Sequence, residues 1–257
     1  MPLELFDTHC HLDFPAFDKD RKMIIHKADK VGINHIMVPA VKKESWRILR
    51  MHVAQNRNLY AALGLHPMFI DEHKESHLED LDKALSLPPV HAVGEIGLDF
   101  YDSRAQRDKQ EVFFRHQLKL AIKHDLPVIL HVRKAHNEVL KHLKMLHFQQ
   151  GGIVHAFSGS LEIAKEYINL GFKLGFGGTM TYSRSVKIRE MVKVLPLDSM
   201  VLETDAPDMI PATSQSDRNT PIHLLDNFKA FCDLRQESPQ VLADTTTKTA
   251  KQVLRIS

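Results

Sequence analysis

Short apolar runs alternate with longer amphipathic stretches along this whole chain. Eight runs read as strands: Leu5 to His9, His35 to Pro39, Leu59 to His66, His91 to Leu98, Pro127 to Val132, Gly152 to Phe157, Phe172 to Gly178 and Met200 to Asp205. Several are almost continuously apolar, as strands covered on both faces of a parallel sheet must be. Between them, Trp46, Leu49 and Val53 recur at three and four residues, as do Phe114, Leu118, Ala121 and Ile122. Each set describes one buried helical face. Ser76 followed by Glu79 has the form of a capping box. Gly171 stands where a helix near 161–170 should end. Ser238-Pro239 supplies a cap and a first-turn proline for the last helix. Eight strand–helix units predict an α/β fold, a closed (β/α)8 TIM barrel; an open doubly wound sheet is the alternative. The longest irregular stretch, DAPDMIPATSQSDRNTP at 205–221, follows the eighth strand. A loop of that length in a compact domain is usually functional or mobile.

Composition changes this picture little. A chain of 257 residues fits one barrel domain spanning 1–257. The 43% hydrophobic content supports a large core, and a net charge of +2 argues neither for nor against a nucleic-acid partner. The two cysteines, Cys10 and Cys232, form no CxxC, so a zinc ribbon and a dithiol redox motif are excluded. There is no secretory pattern and no apolar run approaching the roughly 18 residues of a membrane span. The expectation is a cytoplasmic protein with no membrane association and no obligate protein partner. Seventeen histidines invite a metal reading, so position has to select among them.

Six candidate ligands fall at the carboxyl ends of predicted strands, which on a barrel converge on one mouth. His9 and His11 share one strand face, with Cys10 turned away. Two imidazoles so spaced can chelate a divalent cation; two surface loop histidines are the alternative. Glu95 interrupts the apolar run AVGEIGL, where a carboxylate is costly unless paired or metal-bound. It can bridge two cations, or form a core salt bridge. His131 and His155 end apolar runs on successive strands. Asp205, at the tip of the eighth, can bind a cation and accept a proton, or cap a turn. Asp99 and Glu203 are placed as supporting carboxylates. His66, before Pro67, is expected to contact substrate, donate a proton or make a structural hydrogen bond. The mixed nitrogen–oxygen set lacks thiolate and exceeds the needs of one tetrahedral ion, which predicts two divalent cations. Zinc is favoured, with manganese, cobalt, nickel and magnesium as alternatives.

FDTHCHLD, ALGLHP, VGEIGLDFY, LPVILHVR, VHAFSGS, GFGGTMTY and VLETDAPD follow one another in this chain. In content, order and spacing they resemble the TatD family of metal-dependent hydrolases, in the amidohydrolase superfamily, and within it the YjjV-like branch. The resemblance spans essentially the whole chain. It implies a (β/α)8 barrel with one cation on His9, His11 and Asp205, another on His131 and His155, and Glu95 between them. It implies hydrolysis by a metal-activated water, with Asp205, Glu95 and His66 as the catalytic candidates. Several family members are similar in acting as deoxyribonucleases on DNA ends. Arg133, Lys134, Arg184 and Arg218 fall in predicted mouth loops, where they could meet phosphates or simply face solvent. The substrate expectation is therefore DNA or another phosphodiester. A carbonyl ester or amide is the alternative, since the same metals serve both, and a binding module without chemistry is a third reading.

Overall fold

The computed structural model describes residues 3–102 and 106–256. The eight runs form eight strands, each followed by helix. These are β1 (Leu5–Asp7), α1 (Arg21–Lys30), β2 (Ile33–Pro39), α2 (Lys43–Gln55), β3 (Leu59–Leu63), α3 (Ser76–Leu85), β4 (Ala92–Asp99) and α4 (Arg107–Lys123). The second half runs β5 (Val128–Arg133), α5 (His136–Met145), β6 (Gly152–Val154), α6 (Leu161–Asn169), β7 (Phe172–Phe176), α7 (Val186–Val194), β8 (Met200–Leu202), α8 (Leu224–Leu234) and α9 (Pro239–Leu254). Successive strands pair in parallel from β1 through to β8. The barrel closes just past the strand ends. Thr8 N–H donates to Leu202 O at 2.9 Å, Asp205 N–H to His9 O at 2.8 Å and His11 N–H to Ala206 O at 2.8 Å. The closed barrel holds; the open sheet does not.

Phe6, Met37, Ala62, Ala92, Ile129, Ile153 and Val201, from seven strands, form an inner apolar layer, joined by Ala250 and Leu254 of α9. Thr247 Oγ1 donates to Glu4 O at 2.8 Å, which holds α9 beside the entry to β1. Strand alternation then carries inward positions from this layer toward the mouth, from Ile129 to His131 and from Ile153 to His155. β4 breaks the rule. Its pairing with β5 slips between Val93 and Ile96. Ala92 lies in the inner layer while Val93, Ile96 and Leu98 lie in the outer core. The slip changes parity, so Glu95 faces the barrel interior although Ala92 does too.

Trp46, Leu49 and Val53 are buried as expected, as are Phe114, Leu118 and Ala121. Ile122 is 37% exposed and belongs to the edge of its helix, not to the buried face. Ser76 is the first helical residue of α3, preceded by Glu75, and no side chain caps that helix; the capping box is not formed. Ser238 does cap α9, accepting from Val241 N–H. Gly171 follows α6 at φ +83°, a left-handed position that favours glycine. No helix among the described residues is long and apolar enough to cross a membrane.

Candidate active site

His9 and His11 lie beyond the last paired residue of β1, and Asp205 beyond that of β8. Cys10 between the histidines turns into the core and bridges Ala206, which leaves both imidazoles facing the mouth. Their Nε2 atoms are 3.2 Å apart. His11 Nδ1 lies 3.1 Å from Pro39 O. A carbonyl can only accept, so the proton sits on Nδ1 and the Nε2 lone pair faces the site. Glu95 Oε2 lies 3.2 Å from His9 Nε2 and 3.5 Å from His11 Nε2. Asp205 Oδ1 lies 3.7 and 3.6 Å from the same two atoms.

The other oxygen of Glu95 faces a second set. Oε1 is 3.0 Å from His66 Nε2 and 3.1 Å from His131 Nδ1. His66 Nδ1 accepts the Met68 N–H at 3.1 Å, so His66 carries its proton on Nε2 and donates to Glu95. His131 Nε2 in turn lies 3.0 Å from Asp99 Oδ2. His155 stacks on His9 with ring centroids 3.6 Å apart, and its Nε2 is 3.7 Å from Asp205 Oδ1. Its Nδ1 is 3.1 Å from Glu203 Oε1 without hydrogen-bond alignment; that oxygen accepts from Ala156 N–H at 2.7 Å.

All six proposed ligands therefore converge, with His66 among them. Their closest groupings are His9, His11 and Asp205; His9, His155 and Glu203; and His66, Glu95 and His131. His155 thus sits nearer His9 than His131, whose ring centroid is 6.5 Å from its own. The donor set suits a cation. Ligands about 2.0–2.1 Å from a tetrahedral ion are about 3.3 Å from one another, and the donors around His9 and His11 are spaced at 3.2–3.7 Å. These clusters can hold one or two divalent cations.

The electrostatics fit the same reading. Burial holds His9 well below the usual imidazole range and brings His11 down to about 4, so both remain neutral, as ligation requires. Burial drives Asp205 up to about 7, against the charge of His155 and with help from Glu95, Glu203 and Asp208. His155 moves up to about 10: burial works against its charge, but Glu203 and Asp205 outweigh it. A proton and a cation thus compete for that imidazole.

Residues 6–255 match the model of the TatD related DNase family. The chain belongs to the TatD family. It is 44% identical over 247 residues to the metal-dependent hydrolase YjjV of Escherichia coli (strain K12), covering 95% of each chain. The crystal structure of that TatD homologue superposes with a TM-score of 0.95 at 40% identity over 100% of both chains. A 3'-5' ssDNA/RNA exonuclease TatD from Rahnella sp. (strain Y9602) is 32% identical over 265 residues, covering 98% of this chain and 99% of its own. The chain is thus a metal-dependent hydrolase of the YjjV-like branch.

In this TatD-family chain, three contributors escaped the sequence reading. Asp7 is fully buried, accepting from Thr204 N–H at 2.9 Å and Thr204 Oγ1 at 2.6 Å. It ties β1 to the segment carrying Glu203 and Asp205, and burial pushes its pKa up to about 8 despite the hydrogen bonds from Thr204. An acid inside the apolar run LFD was the available signal, the same one that singled out Glu95. Asn219 pins the long loop to the segment that carries Asp205, with Nδ2 donating to Thr204 O at 2.8 Å and Asp208 O at 2.7 Å. His73 Nε2 lies 3.0 Å from His66 O. Neither of the last two carried a pattern that marks it.

Of the four basic candidates, Arg133, Lys134 and Arg184 are exposed. Arg218 is committed elsewhere: its guanidinium pairs with Asp20 at 2.6 Å, donates to Ala16 O and covers the Phe17 ring. Satisfied by a carboxylate, it does not serve as a free phosphate contact.

Proposed function

We propose that the protein is a cytoplasmic nuclease, acting as one domain over residues 1–257, that hydrolyses phosphodiester bonds of DNA or related nucleic acid at a strand end. The observation that carries this reading is the division of Glu95: one oxygen faces His9 and His11, the other His66 and His131. Such a bridge suits two divalent cations, zinc first among them, with His9, His11 and Asp205 on one and His131 and His155 on the other. Bound as a pair, they would supply Lewis acidity for in-line attack at phosphorus and lower the pKa of water toward neutrality.

The protein's own groups do the rest. Asp205 orients the attacking water and takes its proton, a task suited to a carboxylate placed beside His9, His11 and His155. His66 holds Glu95 through its Nε2–H. Arg133, Lys134 and Arg184 at the rim attract the polyanion. The relative from Rahnella, named for single-stranded DNA and RNA exonuclease action, supports the same substrate class.

The test is a metal-supplemented screen with end-labelled single-stranded oligonucleotides beside ester and amide substrates. Products shortened from one end, absent in chelator and with binding that weakens steeply in salt, are expected. Turnover of an ester or amide without oligonucleotide cleavage by any divalent metal would replace this substrate and leave the metal centre standing.

A further inference from the structure

A cavity of about 570 Å³ opens beside the ligand cluster, between the loops that follow β3 and β4. Its walls include Asp99, which holds His131, and Pro67, which follows His66. Its size lies within the range of about 300–1,000 Å³ usual for small-ligand sites. Two large side chains are left in water there, Tyr101 at 63% and Met68 at 62% exposure. The Arg133 guanidinium lies 3.6 Å from the Tyr101 ring centroid, and the Tyr101 N–H donates to Asp99 Oδ1 at 3.0 Å. The ring is thus held as a flat plate before any ligand arrives.

We infer that this cavity is a nucleobase subsite, with Tyr101 as its stacking plate and Arg133 as the rim contact for the adjoining phosphate. The inference rests on the nuclease reading above and names where the terminal nucleotide lies. Charge decides which part of the nucleotide goes inside. Asp71, Asp99 and Asp102 line the cavity. Asp71 and Asp99 place carboxylates in its wall, which disfavour a phosphate there, while the exposed ring of Tyr101 offers a base its face. Among the described lining residues the cation is Arg133, and it is exposed. Another arginine–aromatic pair, Arg184 over Tyr182 at 4.8 Å, is built differently. Tyr182 is only partly exposed and donates its hydroxyl to Ile210 O at 2.9 Å, so it braces the loop. Stacking of a base on an aromatic ring tolerates every base, so the subsite selects for a base without selecting among bases.

The test uses metal-loaded enzyme and oligonucleotides ending in a normal or an abasic nucleotide, each abasic site placed at one terminus in turn. We expect KM to be about tenfold lower when the base is present at the terminus cut. Tyr101→Ala should abolish this difference and Tyr101→Phe preserve it, with metal content unchanged in both. Equal KM for both ends in the wild type, or undiminished discrimination in Tyr101→Ala, would overturn the subsite while cleavage itself upholds the nuclease. If no oligonucleotide is cut, the nuclease reading fails. Titration with adenosine 5'-monophosphate and ribose 5-phosphate then decides the subsite alone. Tighter binding of the former that Tyr101→Ala erases supports it, and equal binding overturns it.

Discussion

Glu95→Gln isolates the bridging geometry, because glutamine keeps the shape but makes one terminus a donor and removes the charge. Glu95 is 2% exposed, so solvent cannot rescue the mismatch. With the amide NH2 at the Oε1 position, it would meet the Nε2–H of His66 at 3.0 Å, donor against donor. With the NH2 at the Oε2 position, it meets His9 and His11 at 3.2 and 3.5 Å, where the Nε2 lone pair of His11 can accept it. The second arrangement is favoured by the cost of one clashing buried hydrogen bond, about 1–3 kcal/mol. It caps the His9–His11 pair with a hydrogen-bond donor, so the cation held there is the one lost. Elemental analysis of protein stripped and reloaded with manganese or zinc should give the two metals per chain proposed above for the wild type and at most one for the variant. Turnover should fall at least about 100-fold, since even indirect partners of a ligand are worth about 10–100-fold. Circular dichroism should be unchanged. Retention of two metals with turnover within a few-fold of wild type would refute the bridge.

Asp205→Asn is nearly isosteric but neither carries charge nor accepts a proton, and kcat should fall about 100-fold or more with KM little changed; near-normal kcat would move the base elsewhere. Gly175→Ala places a Cβ 2.1 Å from Glu203 Oε2. Displacing that buried side chain should cost about 1–3 kcal/mol, lower Tm by several degrees and weaken metal binding about 10-fold or more through His155; an unchanged Tm and metal affinity would contradict the packing. His136, packed against Phe157 and Tyr167, is lowered to about 4 by burial. It is neutral when folded, so its contribution is fully present above pH 6.5 and is lost as pH falls toward 4, by up to about 3 kcal/mol. The drop in urea stability between pH 7.5 and 5 should therefore shrink in His136→Gln, and an unaltered drop would refute this.

The number, order and type of the barrel elements were legible because they depend on local periodicity. Runs such as PVILHV and AVGEIGL can only be satisfied by burial on both faces, and amphipathic stretches such as Trp46 to Val53 must cover them. The metal cluster was legible for a related reason: Glu95, His131 and His155 are polar groups at the ends or in the midst of apolar runs, and their burial has to be compensated. What the pattern could not supply was where pairing stops. β1, β6 and β8 end at Asp7, Val154 and Leu202, short of His9, His155 and Asp205. Ala156 and Asp205 take left-handed backbone at φ 43° and 56°, which no apolar alternation encodes. The slip that turns Glu95 inward depends on how β4 pairs with β5. The fate of Arg218 depends on Asp20, almost two hundred residues away. Local sequence thus determines which groups are too costly to bury alone, since that cost is a property of each residue and its neighbours. Only the closed barrel decides which partners relieve the cost, because Glu95, His66, His131 and Asp205 meet through strand register and closure, which bring together residues remote in the chain.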